Sequence, residues 1–101
     1  MQPVDIFDHQ GEFFRVLQRT SRSQVAVMTI EPGEDAGPEE EHGGDQIIYI
    51  IAGEALVRVQ DQEYHAKPGM LLTIPARTRH FVKNPGATPV FFLTVYAPPV
   101  Y

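Results

Sequence analysis

The chain has 101 residues, of which 43% are hydrophobic and 21% charged, with a formal net charge of −5 and no cysteine. That length fits one domain, and the composition is that of a chain able to bury a core rather than of a disordered polymer. A disulfide framework, a thiolate metal site and a thiol nucleophile are excluded, and basic residues that form no stripe argue against nucleic acid or an anionic membrane as partner.

In chain order, residues 4–8 suggest a short helical turn, with Val4, Ile6 and Phe7 toward one side and no evident capping residue. From residue 13 the texture changes to short β-branched and aromatic runs broken by Gly, Pro, Asn and Asp. Strands are expected over residues 13–19, 24–31, 40–42, 46–51, 55–60, 63–66, 70–74, 80–83 and 90–96, with one of them merging into a neighbour. The turn signals between them recur about every ten residues, the rhythm of an all-β sandwich or barrel. Residues 1–12 form an N-terminal segment, 13–96 the barrel, and 97–101 (Ala-Pro-Pro-Val-Tyr) an extended tail expected to leave it.

The run 46–51 is apolar on both faces: Ile48 and Ile50 share one side, and Ile47, Tyr49 and Ile51 the other. A second layer must cover the outer face, either the N-terminal strands or another copy of the chain, and a homodimer is the preferred solution. The apolar runs 47–52, 70–74 and 90–95 are too short to span a bilayer. The opening MQPVDIFDHQ lacks a basic-then-apolar signal pattern, so the expected location is the cytoplasm.

The chemistry-bearing stretch is Glu40-x-His42 followed by Gln46, with His80 far downstream. Residues two apart in a strand share a face, so Glu40 and His42 project together, Gln46 joins them after the Gly43-Gly44 turn, and His80 opens another strand. All four carry an imidazole nitrogen or an oxygen able to hold a divalent ion. His9 and His65 read as surface histidines, Glu39 and Glu41 as solvated acids, and Tyr49, Tyr64, Phe91 and Phe92 as packing residues. Among the aromatic residues, Tyr96 is the one expected to reach the site and meet a substrate.

These residues resemble the cupin superfamily. Its first motif runs from a glycine-led turn through H-x-H, a glutamate three or four residues on and a later glycine; this chain has E-x-H-x-x-x-Q and then Gly53. Its second motif, G-x5-P-x-G-x2-H-x3-N, is met by Gly69, Pro75, His80 and Asn84, with Arg77 in place of the middle glycine. The chain is similar in particular to small bacterial RmlC-like cupins of the mannose-6-phosphate-isomerase-like group, through Phe13-Phe14-Arg15, Ser23-Gln24, Val27-Met28, Glu40 to Gln46 and Thr94 to Pro99.

The resemblance implies an all-β fold, the small cupin jelly-roll β-barrel or double-stranded β-helix. It also implies a divalent metal ion (Mn, Fe, Ni, Co or Zn) on Glu40, His42, Gln46 and His80. One carboxylate and one neutral amide oxygen replace the family's imidazole and carboxylate at the exchanged positions, so the ion still meets a single negative ligand. Arg77 is expected to take an ordinary backbone conformation, and with Arg79 to flank the barrel mouth, where an anionic substrate group would bind. The function implied is a metal-dependent cupin that binds a small molecule, a sugar derivative or organic acid, for isomerase, lyase or dioxygenase chemistry. The alternative is a non-catalytic binding or sensing module.

Overall fold

The structure is a computed structural model describing residues 1–101. It contains β1 (Phe14–Arg19), β2 (Gln24–Ile30), β3 (Asp45–Ala52), β4 (Ala55–Val59), β5 (Gln62–Ala66), β6 (Leu71–Ile74), β7 (His80–Lys83) and β8 (Val90–Ala97). They form a five-stranded sheet of order β1-β2-β8-β3-β6 and a three-stranded sheet of order β5-β4-β7. Every pairing is antiparallel. This is the expected double-stranded jelly roll, with the two sheets facing each other rather than closing into one continuous barrel. No helix is long and apolar enough to cross a membrane.

The core lies between the sheets and follows from alternation. Met28 and Ile30 on β2, Ile48 and Ile50 on β3, and Val90 and Phe92 on β8 meet Ala55 and Val57 on β4 and Val82 on β7 in one buried cluster. Burying each of the larger side chains contributes about 1.5–3 kcal/mol, which is why the strands hold this register and not one shifted by a residue.

The opposite face of the large sheet is covered only in part. The N-terminal segment lies over β2 and β8, with the Phe7 ring 5.9 Å from Phe91, and there Val27 and Phe91 are buried. Farther along the sheet, Tyr49 and Leu71, which pair across β3 and β6, stay 43% and 66% exposed.

Four local features differ from the sequence reading. The first turn is a 3-10 helix, Ile6–His9, and it is capped: the Asp5 carboxylate accepts from the Phe7 N–H at 3.0 Å. Residues 40–42 form no strand of their own, since Glu40 makes only an isolated antiparallel bridge to His80. Arg77 is not ordinary backbone: its φ is +58°, in the left-handed region where a Cβ is unfavourable and where the family motif has glycine. Finally, residues 97–101 do not leave the fold but turn back over one end of it, with Tyr101 packed against Phe14 and Tyr96.

Two motif residues act as structural pins. Gly53 has φ +75° and lies so close to Pro89 that a Cβ would run into its carbonyl oxygen, so only glycine lets β3 turn into β4 here. Asn84, buried, donates through Nδ2 to the carbonyls of Ile30 (2.9 Å) and Thr88 (2.8 Å) and accepts at Oδ1 from the Gly86 N–H (2.9 Å). It thereby ties the end of β2 to the loop between β7 and β8.

Candidate functional site

His80 opens β7, and on that strand's outer edge the segment before β3 adds a short ladder: Glu40 N–H donates to the His80 carbonyl at 3.0 Å, and His80 N–H to the Glu40 carbonyl at 2.9 Å. Two residues forty positions apart in sequence are thereby set directly opposite each other. The Arg77 N–H fastens the same segment one step later, donating to the His42 carbonyl at 2.7 Å. Gln46 enters from the other sheet, where its register on β3 places it beside Tyr96 of β8.

Glu40, His42, Gln46 and His80 line one cavity of about 40 Å³, together with Tyr96 and Tyr101. The His42 and His80 rings stand 4.9 Å apart between centroids, and His42 Nε2 lies 3.5 Å from Glu40 Oε2. His80 Nδ1 is 3.0 Å from the Thr78 carbonyl, an acceptor only, so Nδ1 is the donor and in the neutral ring Nε2 is the nitrogen left with a lone pair. Burial first, and then the nearby His80, hold His42 below the ordinary imidazole range against the opposing pull of Glu40, which keeps this ring neutral at physiological pH.

Gln46 is buried, and its two amide ends are treated differently. Nε2 donates to Thr94 Oγ1 at 3.1 Å and to Tyr96 Oη at 3.4 Å. Oε1 is buried without a hydrogen-bond partner, and no other buried side-chain nitrogen or oxygen in the chain is in that position. Leaving such an acceptor unmatched costs about 1–3 kcal/mol, and a cation is one occupant that removes the cost. Two ligands held tetrahedrally at about 2.1 Å from one ion lie about 3.4 Å apart, close to the 3.5 Å between His42 Nε2 and Glu40 Oε2. The donor set therefore fits a divalent ion in chemistry and in that spacing. It is not a closed cage of charged and imidazole ligands: no three His, Cys, Asp or Glu side chains converge on one point by themselves. The Glu40 carboxylate, 42% exposed, accepts instead from the Tyr101 hydroxyl at 3.3 Å.

Both tyrosines facing the cavity are held in the phenol form. Burial first and then Tyr101 push Tyr96 well above the usual phenol range, and burial followed by Glu40 pushes Tyr101 up as well. Tyr96 thus reaches the cavity, while Arg77 does not. Its side chain lies in a separate groove of about 660 Å³ lined only by polar residues, among them Glu39, Arg58 and Arg79. Tyr101 escapes the sequence reading because its position depends on the return of residues 97–101. The one local hint is Gln24, a long polar residue at the head of a mostly apolar strand, whose side chain anchors that return.

The chain matches the cupin domain family over residues 26–96 and belongs to that family. Uncharacterized protein YrkC of Bacillus subtilis is 32% identical over 97 residues, covering 89% of this chain and 52% of that protein. The solved structure of BH2720 from Bacillus halodurans superposes with a TM-score of 0.88 at 33% identity, over 99% of this chain and 83% of that one. TT1209 from Thermus thermophilus does so with a TM-score of 0.83 at 29% identity, over 97% and 98%. The chain spans about half the length of the first curated relatives it matches. Solved structures described as a sugar phosphate isomerase and as an oxalate decarboxylase share the fold, so the fold by itself assigns no reaction.

Proposed function

We propose that the cavity holds a divalent metal ion on Glu40, His42, Gln46 and His80, and that the protein uses it to bind a small organic molecule at the cavity mouth. The observation that carries this reading is Gln46: a buried amide whose oxygen has no partner, in the same cavity as two imidazoles, one of them with a bare Nε2. Bound there, the ion supplies Lewis acidity for a carbonyl or carboxylate oxygen. The chain's own contribution is orientation and exclusion of water. Thr78 fixes the His80 ring, Thr94 and Tyr96 fix the Gln46 amide, and the apolar wall formed by Met28, Val82 and Phe92 keeps the surroundings dry.

Elemental analysis of protein purified without chelators is expected to return about one divalent ion per chain, falling more than about tenfold in His42→Ala and His80→Ala. Equal metal content in all three would end the proposal. A second reading, a non-catalytic binding or sensing module, is favoured by one fact: Glu40 is the only carboxylate that lines the cavity, and it belongs to the donor set. Turnover of no carboxylate or sugar substrate by a metal-loaded protein would select that reading.

We also propose that a second copy of the chain covers the remaining part of the large sheet, where Tyr49 and Leu71 are exposed. Sedimentation is expected to give twice the 11.3 kDa of one chain, and a single chain for Leu71→Lys. A monomeric parent protein would sink this part.

A further inference from the structure

Beyond β8, residues 97–101 run as a strap across the cavity mouth. The root of the strap sits on the Gly44 turn so closely that a Cβ at Gly44 would stand 2.5 Å from the Pro98 carbonyl oxygen and 2.9 Å from the Ala97 carbonyl carbon. Its far end is held by Gln24, which is 1% exposed. Gln24 Oε1 accepts from the N–H groups of Val100 (3.2 Å) and Tyr101 (2.9 Å), and Nε2 donates to the main-chain oxygen of Tyr101. Arg19 Nη1 donates to the same oxygen at 3.1 Å. Every hydrogen bond of the Gln24 side chain goes to this strap, so a buried amide is matched only while the strap is seated.

At the second fixing the Tyr101 ring lies 5.0 Å from Phe14, 5.3 Å from Tyr96 and 5.8 Å from His42, and its hydroxyl donates to Glu40. With it in place the cavity measures about 40 Å³, against the roughly 300–1,000 Å³ of pockets that enclose small organic ligands. An ion and one or two waters fit; a molecule of more than a few heavy atoms does not. Tyr101 itself is 49% exposed, and besides its ring contacts it is attached by polar bonds that water can replace when it lifts.

We propose that Tyr101, anchored by Gln24, is a removable cover that decides which ligands reach His42, Gln46 and His80. Anything larger than a few heavy atoms has to displace it. This rests on reading the cavity as a ligand site, but the cover is testable with no metal and no ligand present.

The probe is diethyl pyrocarbonate, which acylates neutral imidazole, applied to the metal-free full chain with modification mapped at each histidine. In Tyr101→Ala, His42 and His80 are expected to react at least about tenfold faster than in the parent protein, as a locally unprotected site does. Exposed His65 serves as the internal reference. Tyr101→Phe keeps the ring and is expected to stay near the parent rate. Gln24→Met removes the anchoring bonds and is expected to fall between the two. Unchanged His42 and His80 rates in Tyr101→Ala would overturn the proposal, and so would an equal rise at all four histidines, which reports loosening of the whole fold. If the parent protein holds no metal while Tyr101→Ala still exposes His42 and His80, the metal reading fails and the cover stands.

Discussion

The enclosed cavity and the polar groove are two sides of one wall. Residues 39–42 and 77–80 run along both, and alternation sends Glu40, His42 and His80 inward and Glu39, Glu41, Arg77 and Arg79 outward. The groove is by far the larger and more highly charged of the two, yet three of its charges already answer one another and the rest face water. Glu39 receives Arg79 at 2.6 Å and Arg58 at 3.4 Å, and the Arg58 guanidinium also stacks 5.3 Å over Phe81. The cavity holds fewer polar atoms, but Gln46 Oε1 has no partner. Capacity to bind follows unmatched atoms in a dry place rather than density of charge in a wet one.

That contrast can be tested from its strongest consequence downward. Gln46→Glu puts the family's carboxylate back into the cavity, where without a metal it is a buried charge lacking a cationic partner. The metal-free protein is expected to lose several kcal/mol of stability while divalent metal affinity rises, as read by thermal denaturation with and without the ion. Stability that is insensitive to the added carboxylate would mean the site is wetter than its burial suggests. Arg77→Gly, on the groove side, is expected to stabilise the fold by about 1 kcal/mol, because glycine takes a φ of +58° without the Cβ penalty. For a domain of this size that raises the melting temperature by about 4–8 °C, and a fall instead would show that the Arg77 side chain holds the turn. Glu39→Ala removes both groove ion pairs and is expected to shift stability by less than about 1 kcal/mol, since Arg79 is 70% and Arg58 43% exposed. A loss of several kcal/mol on urea denaturation would erase the distinction between the two sides.

Most of the framework was legible in the chain because alternation is a local property. Ile48 and Ile50 inward against Tyr49 outward, and Gly69, Pro75, His80 and Asn84 at their spacing, needed no three-dimensional information. Even where the expected strand at 40–42 is absent, the rule that residues two apart share a face still put Glu40 and His42 in one cavity. What escaped was set by contacts between distant segments. A single left-handed residue such as Arg77 leaves no trace in a hydrophobic pattern. The return of residues 97–101 depends on the flat back of Gly44 and on Gln24, and neither announces its partner from its own neighbourhood. The outer layer was expected from either the N-terminal strands or a second copy; β1 and β2 instead belong to the large sheet itself, the residues ahead of them cover β2 and β8, and Tyr49 and Leu71 remain for the proposed partner.

Asn84 ties the end of β2 to its own loop with three hydrogen bonds, and the residue after it is Pro85. Spontaneous ageing of asparagine proceeds when the following amide nitrogen attacks the side chain to close a five-membered imide, and proline has no N–H to take part. The chain thus places its one asparagine where that slow chemical clock does not run.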